Sequence, residues 1–201
     1  MKTTPMTALA RFTAAACVLA MAGSALAQGV LAPPVAPQDT LTRAAASVGV
    51  QRCLPAITRL ATLTVQGSRA HDVLLDWDRK RPDAGPVFSL VGIQYPNAGV
   101  AASITAIPDD SGACTVAAER ISVAPFTCAS VAEQELKNYK RTPLLPIYTV
   151  YTDDKEPTSS VSLIDSPPGC LVIRRYVEYG WRDPNAPVPA AAPAGQAPKR
   201  R

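Results

Sequence analysis

Four cysteines, Cys53, Cys114, Cys128 and Cys170, constrain this chain more than any other feature. Their weight comes from what precedes them. Lys2 and Arg11 give a positive front, Phe12–Met21 is an uncharged apolar run, and Ala25-Leu26-Ala27 offers the small–x–small site of signal peptidase. The run is too short to span a bilayer, which takes about 20 residues. Residues 1–27 therefore read as a signal peptide, with the mature chain starting at Gln28. Cys17 sits inside the run without a lipoprotein box before it, so no lipid anchor is expected. No later stretch is apolar and long enough to be a membrane span. A periplasmic or secreted location follows. There, an even cysteine count favours two disulfides. The spacings are wide and hold no C-x-x-C pair, which disfavours both a zinc site and a thioredoxin-like redox centre.

Charge narrows the partners. Of 20 Lys and Arg, two fall in the leader and three in Lys199-Arg200-Arg201, leaving 15 against 16 acids over residues 28–183. The net charge of +4 thus describes the ends of the chain. Phosphate binding needs clustered Lys and Arg, so no nucleic acid is expected as a partner.

The flanks are low in structure-forming signal. Residues 28–40 carry Pro33, Pro34 and Pro37 and read as a Pro-rich linker. Residues 183–201 form a Pro/Ala tail with a basic end, which cannot bury a core and reads as disordered and solvated. Between them, residues 41–182 suit a single domain.

Within that domain the hydrophobic period changes twice. Leu41, Ala45 and Val48 form one helical stripe; Cys53, Ile57, Leu60 and Thr64 form another. Gly49 and Pro55 interrupt the pattern, so two short helices or a kink are expected. Residues 68–86 read as loop, with at most a short strand at Val73–Trp77. Strand patterns then occupy Val87–Tyr95, Val100–Ile107 and Thr115–Val123. Ser130 and Glu133 make a capping box for a short helix over Val131–Asn138. Strands follow at Leu145–Thr152, Ser160–Asp165 and Cys170–Trp181. The order α-βββ-α-βββ predicts an α+β fold, a mainly antiparallel sheet with helices on one face. No internal repeat is evident.

Strand direction suggests how the cysteines pair. A strand over Thr115–Val123 extends about 30 Å, too far for five further residues to return Cys128 to Cys114. With strands running up-down-up on each side of the second helix, Cys114 and Cys170 start at the same end. Cys53 and Cys128 fall at the other. The expected pairs are Cys53–Cys128 and Cys114–Cys170.

Chemistry is sparse. His71 is the single imidazole and no G-x-S-x-G elbow or glycine-rich phosphate loop accompanies it, so it reads as a surface histidine in a loop. No cofactor or metal is expected. The acidic clusters Asp76-Trp77-Asp78, Asp109-Asp110 and Asp153-Asp154-Lys155-Glu156 read as turn residues rather than calcium ligands. The last strand carries more. Leu171, Ile173, Arg175, Val177, Tyr179 and Trp181 alternate onto one face, which puts Arg175 on an apolar surface. A guanidinium buried there would need a partner, either an anionic ligand or a carboxylate such as Glu119. Arg175, Tyr179 and Trp181 are the candidate binding residues. The function these features suit is an exported, non-catalytic interaction protein with another protein or an envelope component as partner. The alternatives are a small envelope hydrolase working through carboxylates or Arg175, and a small-ligand carrier with a pocket between helix and sheet.

Overall fold

The computed structural model describes residues 39–185. The expected leader, nearly all of the Pro-rich segment and most of the tail lie outside these residues. Among the described residues the fold is α+β: helices α1 (Thr40–Ser47) and α2 (Leu54–Val65), strands β1 (Ala70–Trp77), β2 (Val87–Gln94), β3 (Gly99–Pro108) and β4 (Cys114–Ala124), then α3 (Cys128–Glu135), then β5 (Lys140–Leu145), β6 (Tyr148–Thr152), β7 (Ser159–Ser166) and β8 (Gly169–Trp181). The strands form one antiparallel sheet in the order β1-β2-β3-β4-β8-β7-β6-β5.

The helices start and stop where local chemistry dictates. Asp39 caps α1, its carboxylate accepting from the Thr42 amide at 2.9 Å. Gly49, at φ +94°, lets the chain leave that helix in a left-handed conformation that a side chain would resist. Pro55 sits in the first turn of α2, where its missing N–H costs nothing. Both expected stripes face the sheet, with Leu41, Ala45, Cys53, Ile57 and Leu60 all buried. The second capping signal lies three residues earlier than expected. Thr127, not Ser130, caps α3, and it accepts from the Ser130 amide.

β1 extends the short strand expected at Val73–Trp77 by three residues, and β5 was not expected. β1 runs over Ala70–Trp77 because Val73, Leu75 and Trp77 alternate inward while Asp72, Leu74 and Asp76 alternate outward. β5 has all six residues exposed and contains Pro143, a residue that a strand tolerates only at a sheet edge.

The two strands absent from the expected order, β1 and β5, overturn the expected disulfides: β1 brings Cys53 to the end of Cys114, and β5 brings Cys170 to the end of Cys128. The observed pairs are Cys53–Cys114 and Cys128–Cys170, with Cα separations of 5.9 and 4.9 Å. Inserting one strand after α3 reverses the direction of every later strand, so β8 runs antiparallel to β4. Cys114 then lies opposite Trp181, and Cys170 lies opposite Ala124, at the other end of the seam. Each cysteine bonds to the one at its own end.

The pairing exposes a duplicated architecture that the sequence reading missed. Each half is a helical layer followed by a four-stranded meander. In each, a cysteine at a helix N-terminus (Cys53 or Cys128) bonds to one opening the last strand (Cys114 or Cys170). The two last strands, β4 and β8, pair and fuse the meanders into one sheet. Each half keeps a core of its own. One joins α1, α2 and β1–β4; the other joins α3 with Tyr151, Val161, Leu163 and Val172.

Candidate functional site

All the helices of the described residues pack on one side of the sheet, and strand alternation decides what the other side shows. In β2, Val87, Ser89, Val91 and Ile93 are buried against the helices, whereas Phe88 and Leu90 are exposed. The register carries this outward set across all eight strands. One row runs Leu74, Leu90, Ser103, Glu119, Arg175, Ser160, Thr152 and Lys140. A second links Val123, Leu171, Ile164 and Tyr148, with Leu145 opposite Tyr148 at the edge. This row is apolar from end to end. The Tyr148 hydroxyl lies 3.1 Å from Ser162 Oγ on the same face, so part of the surface is held by its own hydrogen bonds.

Arg175 lies on this face, but the face is not buried. The side chain is 56% exposed, because no helix covers it. Its partner is Glu119, at 3.2 Å from Arg175 Nε to Oε1. The carboxylate proposed from strand position is thus the one that meets it. Tyr179 is 80% exposed and follows Val177 on the same side. Trp181 does not join them. The register shifts between Cys114 and Val116, and Gly180 takes φ +66°, so the chain slips by one residue. Trp181 turns to the helical side, faces Cys114 and is 8% exposed within the first core.

The remaining candidates have structural placements. His71 is in β1 rather than in a loop, and faces inward. Ser68 Oγ is 3.4 Å from its Nδ1, and its buried Nε2 has no hydrogen-bond partner among the described residues. Among the described residues no carboxylate is hydrogen-bonded to the ring, so the pair lacks there the third group that activates a nucleophile. Asp109-Asp110 and Asp153-Asp154-Lys155-Glu156 form turns, whereas of the first cluster Asp76 and Trp77 belong to β1 and only Asp78 turns the chain. Asp109 Oδ1 accepts from the amides of Ser111 and Ala113, Asp153 from that of Lys155, and Asp78 from those of Lys80 and Arg81. The Ser111 hydroxyl holds the Asp109 carboxyl below its ordinary range, as the Lys80 amide does for Asp78. Among the described residues no three His, Cys, Asp or Glu side chains are grouped to hold a metal ion, and no helix is long and apolar enough to cross a membrane. The two disulfides are of the kind carried by exported proteins.

Sequence reading missed Leu74, Phe88 and Leu90 as surface residues. A clean alternation does not say which of two apolar faces is covered, and in β1 and β2 both faces carry large apolar side chains. No family model matches this chain, and neither a curated protein nor a solved structure matches it.

Proposed function

We propose that this chain is an exported, non-catalytic interaction protein, periplasmic or secreted, whose uncovered sheet face docks a folded protein. The observation that carries the reading is the apolar content of a face that nothing among the described residues covers. Leu74, Phe88, Leu90 and Val123 are each about half exposed or more. Leu74, Phe88 and Leu90 form one exposed apolar cluster on β1 and β2, and Val123 belongs to a second beyond the polar centre; exposed apolar patches on a single domain are characteristic of interaction sites. Eight strands at about 4.8 Å spacing give a face about 34 Å wide. With five residues per strand it offers on the order of 600 Å², near the ~800 Å² that one partner contributes to a standard interface. Glu119 and Arg175 neutralise each other at its centre, so the partner need supply no buried countercharge there. Asp72 and Asp76 flank Leu74 on β1, which suits a partner with an apolar centre and basic residues at that edge.

The test is capture of a partner by the disulfide-bonded chain, followed by reconstitution from purified components. The expected result is a one-to-one complex that Leu90→Asp and Val123→Asp each weaken by tenfold or more while thermal unfolding is unchanged. A complex indifferent to both substitutions would sink the proposal. So would protection from hydrogen exchange confined to the helical side.

A further inference from the structure

We infer that the groove between α2 and α3, on the helical side of the sheet, binds a small organic monocarboxylate through Arg120 and Arg174. The two helical layers do not meet over the seam of the duplicated sheet. They leave a groove of about 240 Å³ whose floor is β4, β8 and β7. Thr64 at the end of α2 and Tyr139 after α3 form its walls. Arg120 and Arg174 are direct cross-strand partners on that floor. Like charges opposite each other in a sheet destabilise it. Here only one is compensated internally. Arg174 meets Glu135 of α3, while Arg120 lies over the Tyr95 ring at 5.1 Å and has no acidic partner among the described residues. Nearby Arg59 is already engaged with Glu178 and the Tyr176 hydroxyl.

Two facing guanidiniums with a single carboxylate partner between them, in a groove with tyrosine walls, are a carboxylate site in their chemistry. The planar forks match a carboxylate bidentately, and Tyr139 and Tyr176 offer ring surface to an aryl or alkyl body. Two carboxylates, Glu156 and the Arg175-paired Glu119, also line the groove, which favours a singly charged head over a doubly charged phosphate. The volume lies below the usual range for drug-sized ligands, so the ligand is a small acid or the carboxyl end of a peptide. Arg175 and Glu119 also border the groove, but their strand positions put them on the opposite face, where they pair with each other at 3.2 Å, so neither is assigned to the carboxylate. The inference therefore does not rest on the docking surface, and the two readings fail separately.

The experiment is calorimetric titration of the full disulfide-bonded chain with benzoate, benzamide, inorganic phosphate, and a tripeptide as free acid and as C-terminal amide. One saturating site for benzoate or the free-acid peptide is expected, with the amides and phosphate at least about tenfold weaker. Preference for benzoate would identify a free small acid; preference for the peptide would identify a chain end. Arg120→Gln and Arg174→Gln should each weaken binding by about tenfold or more, and Arg175→Gln should leave it unchanged. The unliganded Arg120→Gln variant should unfold at the same temperature or higher, because one of two facing like charges is gone. No saturation below about 10 mM for either acid would overturn the proposal. Equal binding of the amides, tighter binding of phosphate, loss of binding in Arg175→Gln, or a lowered unfolding temperature in Arg120→Gln would each do the same.

Discussion

Glu119 and Arg175 stand directly opposite each other across the β4–β8 seam, and each is the fifth residue after its own strand's cysteine, Cys114 or Cys170. Matching the halves by those cysteines superposes Glu119 on Arg175, so the pair marks the place where a local two-fold between the halves passes. Two identical copies would set a residue against itself there. A single fused chain is free to set opposite charges. Both side chains are more than a third exposed, so the pair is a solvent-screened one. A double-mutant cycle on Glu119→Gln and Arg175→Gln, measured by urea unfolding, should give a coupling of only about 0.2–1 kcal/mol. A coupling of several kcal/mol would mean that the face is covered in the isolated protein.

The disulfide pattern makes a sharp prediction. Non-reducing peptide mapping should link Cys53 to Cys114 and Cys128 to Cys170. The bridges span 61 and 42 residues, and on the chain-entropy argument each contributes about 4 kcal/mol. Replacing either pair by alanine should therefore cost a similar amount in denaturant unfolding. A mapped Cys114–Cys170 link would contradict the antiparallel seam.

Tyr179 and Trp181 are separated by one residue and should behave in opposite ways. Trp181→Ala removes a large side chain from the first core and should cost about 3–5 kcal/mol. Tyr179→Ala, at an exposed position, should change stability by less than about 0.5 kcal/mol. Urea titration of both variants decides this, and equal losses would show that the slip at Gly180 is misplaced.

Gly169 is fixed by space rather than by backbone angle. A Cβ there would lie 2.5 Å from the Ala124 carbonyl oxygen and 3.3 Å from Val123 Cγ1. A main-chain oxygen in a paired strand has little room to yield. Gly169→Ala should therefore destabilise by about 1–3 kcal/mol, and Gly92→Ala, which meets nothing within 4 Å, by less. The comparison is a pair of thermal melts.

Acid sensitivity should trace in part to the turn carboxylates. Asp109 has a lowered folded pKa, first through the Ser111 hydroxyl and then through the Ala113 and Ser111 amides. A depressed carboxyl adds stability above its unfolded value of about 3.9 and loses that contribution as pH falls through the folded value. Asp109→Asn should remove this component. Melting temperatures followed from near-neutral pH into strong acid should fall less steeply in the variant. An unchanged slope would mean that the turn does not titrate with folding.

Much of the fold was written locally. The inward stripes Leu41/Ala45 and Ile57/Leu60, the break at Gly49 and Pro55, and the alternation of β2, β3 and β8 are each readable within a dozen residues, because helix and strand periods are local properties. The edge strand β5 was not, since Lys140-Arg141-Thr142-Pro143 has no buried side and hence no period to read. The duplication left a faint trace, an aspartate and a glycine before each strand-opening cysteine: Asp109, Gly112 and Cys114 in one half, Asp165, Gly169 and Cys170 in the other. Such a short motif gains meaning only when both copies are seen to turn into equivalent strands.

The sequence alone therefore determined the class, α+β with a mainly antiparallel sheet, and residue type and strand position named Glu119 as one of two alternatives for the partner of Arg175. The three-dimensional arrangement decided which cysteines bond, which face stays bare and where Arg120 meets Arg174. Those outcomes depend on strand direction and on which side the helices settle. A strand left out of the order in either half inverts the first, and the second is set by packing between residues far apart in the chain.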